Sequence, residues 1–217
     1  MVIDMNYDKE MAKIIASLDH VPSLLLHTCC APCSSAVITR LKDYFDITVL
    51  YYNPNIEPYD EYLKRKEEQK RFLKEIESDN KLTIIDADYD NDAYRKLISG
   101  HESDLERGPR CHLCYRKRLE YTYNKAKELG FEYFGSTLSV SPYKVSNWIN
   151  EIGLSLEDDD VKFLVADFKK QNGYKRSIEL SHEYNLYRQD YCGCVFSKEQ
   201  REKQSRSGES EVSRAIE

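Results

Sequence analysis

The chain has 217 residues, 41% of them hydrophobic and 32% charged, with 32 basic against 38 acidic side chains and a formal net charge of −6. That length is ample for one buried core, no apolar run approaches the ~18 residues of a membrane-spanning helix, and the acid excess by itself argues against a nucleic-acid partner. The first twenty residues lack a basic stretch followed by a long apolar one, so the expected location is the cytoplasm. In that reducing compartment seven cysteines point to metal or redox chemistry and not to a disulfide scaffold.

In chain order, residues 1–20 read as a polar lead-in with a short amphipathic helix over 11–18. Ser23–His27 is a short apolar run of the kind found inside a parallel sheet, and it ends in Thr28-Cys29-Cys30-Ala31-Pro32-Cys33. Pro32 suits the first turn of a helix, and Val37, Ile38, Leu41 and Phe45 continue at helical spacing. A second strand over 47–52 closes in Asn53-Pro54-Asn55 and is followed by a charged helix over 57–76 and a third strand over 82–87. Residues 91–101 suggest a short helix, 113–129 a longer one and 133–138 a fourth strand. The stretch 139–191 is mixed, with a helix expected over 177–187. Alternating strands and helices predict an α/β fold with a mainly parallel sheet, whose sites lie beyond the carboxyl ends of the strands. The expected organisation is a lead-in (1–20), one α/β domain carrying every cysteine motif (21–197) and a polar tail (198–217) that is disordered toward its end.

The cysteines fall into three groups: Cys29, Cys30 and Cys33; Cys111 and Cys114; Cys192 and Cys194. A Cys-x-x-Cys at a helix start brings two sulfurs to one metal centre, and Cys29 and Cys30 sit in a strand-to-helix turn able to face it. Four such thiolates suit a [4Fe-4S] cluster or structural zinc, and the adjacent Cys-Cys leans toward iron–sulfur. For Cys192-Gly193-Cys194 the single intervening glycine permits a strained, reducible disulfide; extra ligands or a tight turn are the other readings. Arg107, Arg110, Arg116, Lys117 and Arg118 form one basic stretch beside a cysteine pair, and Lys169, Lys170, Lys175 and Arg176 a second. No Gly-x-Gly-x-x-Gly or Walker loop occurs.

Taken in order, His27-Thr28-Cys29-Cys30-Ala31-Pro32-Cys33-Ser34, Tyr51-Tyr52-Asn53-Pro54-Asn55-Ile56 and Cys111-x-x-Cys114-Tyr115-x-x-Arg118-Leu119 resemble the QueH family of epoxyqueuosine reductases. Ser136-Thr137-Leu138-x-x-Ser141-Pro142-Tyr143-Lys144, Asp167-Phe168-Lys169-Lys170 and Tyr187-Arg188-Gln189-x-Tyr191-Cys192-Gly193-Cys194 extend the likeness over about residues 20–197. The resemblance implies a Rossmann-like, adenine-nucleotide-hydrolase-like sheet with helices on both faces and a helical C-terminal part. It implies reduction of the epoxide of epoxyqueuosine in the tRNA anticodon loop to the alkene, the last step of queuosine synthesis, with electrons from a donor that the sequence does not name. It puts cluster ligands on Cys29, Cys30, Cys111 and Cys114 and a redox-active pair on Cys192 and Cys194; Cys33 either ligates an additional adjacent iron or simply packs. Arg116, Arg118, Lys169 and Lys170 are then expected on tRNA phosphates, Tyr52 and Tyr143 against unpaired bases, and His27, His112, Asp60 or a tyrosine as proton donor. A zinc-stabilised RNA-binding module and a thiol–disulfide oxidoreductase are the alternatives.

Overall fold

Five short strands set the architecture: β1 (Ser23–His27), β2 (Asp46–Tyr51), β3 (Leu82–Asp86), β4 (Tyr133–Ser136) and β5 (Lys162–Phe163). They form one parallel sheet in the order β3-β2-β1-β4-β5 in the computed structural model, which describes residues 5–206. β1 is central, paired along its length with β2 on one side and β4 on the other, and Leu24, Leu25 and Leu26 are fully buried. A strand covered on both faces has no polar side to show, which is why its sequence is a continuous apolar run.

The chain moves outward from β1 to β3, then returns to β4 on the far side of β1. Two apolar layers result. Met11 of α1 (Tyr7–Ala16), Val37, Ile38 and Leu41 of α2 (Ala31–Leu41), Phe72 of α3 (Tyr59–Glu75) and Leu180 of α7 (Gly173–Glu183) pack with Leu24 and Leu26. Tyr115 and Leu119 of α5 (Pro109–Leu129) and Ile149 and Ile152 of α6 (Ser146–Leu156) pack with Leu25 and Phe134 on the other. The reversal of strand order between β1 and β4 is the place where α/β sheets open a crevice, and the first cysteine group follows β1 there.

Several boundaries differ from the sequence reading for local reasons. α5 begins at Pro109, earlier than residue 113, because Gly108 caps it and Pro109 supplies a preset first turn; both Cys111 and Cys114 therefore lie near its N-terminus. Gly130, at φ 73°, ends it in the left-handed conformation. The last residues of the expected fourth strand turn into a 3-10 helix over Thr137–Val140. α7 starts at Gly173 because Gln171 and Asn172 both take positive φ and turn the chain into it. α4 (Asn91–Leu97) is shorter than expected. Helix α8 (Val195–Arg206) takes in the first part of the expected polar tail, residues 198–206; the remainder of that tail, like residues 1–4 of the lead-in, lies outside the described residues. Among the described residues no helix is long and apolar enough to cross a membrane.

Candidate active site

The loop after β1 is fixed by its backbone. Thr28 N–H donates to Leu50 O (3.1 Å), the Asn53 amide donates to Thr28 O (2.7 Å), and Ser34 N–H closes the first turn of α2 on Cys30 O (3.0 Å). Buried Gln69 on α3 accepts from Ser34 Oγ (2.7 Å). His27, with no exposure, bridges the ends of β2 and β4: one ring nitrogen meets Tyr52 O at 3.1 Å and the other Ser136 Oγ at 3.0 Å. A carbonyl can only accept, so Nε2 carries the proton and Nδ1 accepts from Ser136. Burial, with the Arg118 charge, lowers the His27 pKa to about 4. It is therefore a neutral spacer at pH 7 and not a proton donor.

On this frame the sulfurs of Cys29, Cys30 and Cys33 lie within 4.8 Å of one another, with Cys29 and Cys30 3.9 Å apart. Cys33 joins because it sits three residues after Cys30, on the same face of α2. Burial pushes the Cys30 thiol up, but hydrogen bonds from Cys29 and Cys33 outweigh it and bring Cys30 well below the ordinary thiol value. The contact with Cys30 raises Cys29, and those with Cys29 and Cys30 raise Cys33. Three thiols this close can hold a metal ion.

Cys111 and Cys114 are buried on α5. Cys111 shares an apolar cluster with Cys29 and Cys30, and Arg107 N–H donates to its sulfur at 3.4 Å. Cys114 instead packs with Tyr94, Ile98 and Cys194, and burial pushes its thiol up to about 12. Two arginines, each 1% exposed, face the sulfurs: Arg118, whose Nε donates to Cys114 O (3.2 Å), and Arg65 of α3, whose Nη1 donates to Cys192 O (3.2 Å). Each leaves its Nη2 without a hydrogen-bond partner.

The Cys192-Gly193-Cys194 turn is hung on the loop after β2. Glu57 N–H donates to Gly193 O (2.8 Å) and Tyr191 Oη donates to Glu57 O (2.9 Å). Gly193 has φ +129°, and an added Cβ would stand 2.9 Å from Ile56 Cγ1, so this position needs glycine twice over. Cys192 is half-buried and lines a cleft with Cys29, Cys33, Glu106, Tyr143 and Lys144; Cys194 is buried behind it. All seven cysteines are free thiols.

A family model described as epoxyqueuosine reductase QueH matches residues 24–200. This chain belongs to the QueH family. Relatives named epoxyqueuosine reductase QueH include one from Streptococcus pyogenes serotype M1, 43% identical over 199 residues that cover 89% of this chain and 78% of the relative. Another, from Staphylococcus epidermidis, is 41% identical over 201 residues, 89% of this chain and 84% of its own. The Thermotoga maritima relative is 37% identical over 186 residues, 83% of this chain and 93% of its own.

In this QueH-family chain the structure brings together some expected residues and separates others. Tyr143 lines the cleft, with the Arg201 guanidinium 4.5 Å from its ring centroid. Arg116 is half-exposed and pairs with Glu120 (3.3 Å), and Lys170 is exposed. Arg118 is a correction: it points inward beside Cys114, so it serves the sulfurs and not the phosphates of a ligand. Tyr52 is another, 2% exposed and stacked on Tyr121 with centroids 3.7 Å apart, which leaves no face for a base. Lys169 is tied to Asp167 (2.8 Å) and Ser139 O (3.2 Å). Sequence reasoning missed Lys144, Glu106 and Arg65. For Arg118 a signal existed, since Cys111, Cys114, Tyr115 and Arg118 follow the i, i+3, i+4, i+7 pattern of one helix face.

Proposed function

We propose that this chain reduces the epoxide of epoxyqueuosine in the tRNA anticodon loop, giving the alkene of queuosine and water. The observation that carries the reading is the single cleft whose wall holds metal-type thiols, Cys29 and Cys33, together with Cys192 of the Cys-Gly-Cys turn. Cys29, Cys30, Cys111 and Cys114 would hold a [4Fe-4S] cluster, with Cys33 available to an additional adjacent iron. The donor set suits such a group: the chain has thiols in number without a disulfide, and beside them Arg65 and Arg118 each keep a buried Nη2 donor without a partner. When bound, the cluster supplies one-electron transfer at low potential.

The protein's own groups account for the rest. Cys192 and Cys194 act as the dithiol that holds two reducing equivalents. An unpaired anticodon nucleoside can enter the cleft and stack on Tyr143, while the exposed Arg188 in its wall meets a phosphate and Arg116 and Lys170, outside that wall, meet others. Because these cations are local, the net charge of −6 does not oppose a polyanionic partner.

The test is mass spectrometry of nucleosides from tRNA of cells with and without the protein. Epoxyqueuosine should accumulate at the expense of queuosine when it is missing, and unchanged tRNA overturns the reading. Anaerobic purification should give brown protein with about four irons per chain; colourless protein with one zinc and no sulfide would favour the zinc-stabilised RNA module instead.

A further inference from the structure

Lys144 is 7% exposed, lies in the cleft wall and has no part in the reaction as described so far. Its Nζ donates to Cys192 Sγ at 2.7 Å and stands 3.3 Å from Glu106 Oε1, with the Tyr115 ring centroid 6.0 Å away. Cys194, by contrast, is buried among Tyr94, Ile98, Cys114 and Phe196 on the other side of the turn. The two thiols are therefore unlike in their surroundings: one faces the cleft and an ammonium, the other an apolar wall and a proposed cluster ligand.

We propose that Lys144 is the positioning residue that divides the labour of the pair, holding the Cys192 sulfur at the cleft, where it meets substrate, and leaving Cys194 behind it on the Cys114 side. This deepens the redox-pair reading above and rests on it. A buried ammonium is costly alone, and desolvation acts to lower the Lys144 pKa, but its close neighbours, with Cys192 Sγ at 2.7 Å and the Glu106 carboxylate at 3.3 Å, hold it above the ordinary lysine value. The stoichiometry then closes. Oxidation of the two thiols forms the Cys192–Cys194 bond and releases two electrons and two protons, and both carbon–oxygen bonds of the epoxide break as the alkene forms. The released oxygen takes both protons and leaves as water. One turnover needs no other reductant, and a dithiol or comparable two-electron donor must reopen the disulfide before the next.

The test is competitive alkylation of the anaerobically purified, reduced full-length protein with iodoacetamide, the labelled cysteines being assigned by peptide mass spectrometry. Wild type should label Cys192 at least about tenfold faster than Cys194. Lys144→Met keeps the length of the side chain and removes its charge, and should slow Cys192 labelling about tenfold, while Lys144→Arg restores most of the rate. Glu106→Gln removes the competing anion and should leave labelling at or above wild type. Faster labelling of Cys194, an unchanged rate in Lys144→Met, or a fall in Glu106→Gln overturns the assignment. Turnover of Cys192→Ser and Cys194→Ser separates the two claims: if both remain active the redox pair itself is wrong, whereas inactive serine variants with unaltered labelling in Lys144→Met remove only the role of Lys144.

Discussion

The loop after β1 and the Cys192-Gly193-Cys194 turn present the same side chain from opposite kinds of support. Cys29, Cys30 and Cys33 stand on the central strand and the first turn of α2, with backbone bonds to β2 and buried Gln69 and His27 beneath them. The later turn is bonded to loops and helices instead: Arg65, Glu57, Tyr191 and Lys144 hold its front, and Cys194 O accepts from Ser197 N–H (3.1 Å) and Lys198 N–H (3.2 Å) at the start of α8. A metal centre needs fixed ligands, whereas a pair that opens and closes a disulfide needs a few ångströms of freedom, and the two supports match those demands.

Breaking the first region should have the larger effect. Cys30→Ser removes the most acidic thiol of the trio and is expected to abolish both bound iron and turnover, read by iron and sulfide analysis of anaerobically purified protein. Retention of metal at wild-type content would show that the trio is not the anchor. In the second region Gly193→Ala should separate the functions: metal content stays near wild type while turnover falls by at least about tenfold, because a Cβ at positive φ displaces the turn. Loss of metal with loss of activity would mean that the two regions are one unit. Smaller effects are expected at the surface cations, where Arg116→Ala should weaken tRNA binding a few-fold and reduce the salt dependence of log Kd by about one phosphate contact, whereas Lys169→Ala, already paired with Asp167, should change the slope little.

The smallest concerns the tether of the second region. Glu68 on α3 accepts from Tyr187 N–H (2.6 Å), and Arg71, which donates to Tyr184 O (3.0 Å), holds the Glu68 carboxyl below its usual range. A depressed carboxylate stabilises the fold above the unfolded value near 4.5 and ceases to do so as pH falls through the folded one. Glu68→Gln should therefore cost ~1 kcal/mol in urea unfolding at neutral pH, with the difference shrinking below about pH 4. A difference that grows on acidification would refute the tether.

Strand β1 and the cysteine loop were legible because a continuous apolar run followed by Pro32 has few other readings. Helix α5 was legible in its body but not at its start, since Gly108-Pro109 looks like a loop until it is seen as a cap and first turn. β5, with only two residues, and α6, interrupted by Gly153 where Phe163 packs, carry too little periodic signal to stand out in a mixed stretch. Within the site, charge was read from composition and so assigned to the surface. The inward turn of Arg118 depends on helical phase, and the meeting of Lys144 with Cys192 across 48 residues depends on tertiary packing that no local pattern encodes.

The position of Cys192 near the end of the chain has a consequence for synthesis. The cleft draws on residues 29–33, 106, 138–144, 174–177 and 188–201, so its far wall is translated last. A growing chain can shape the central sheet and the first cysteine loop well before the Cys-Gly-Cys turn emerges from the ribosome. Thiol chemistry between the two regions thereby waits until residues 188–201 have been made, and a chain truncated before residue 192 can present the first five cysteines without the reducing pair that answers them.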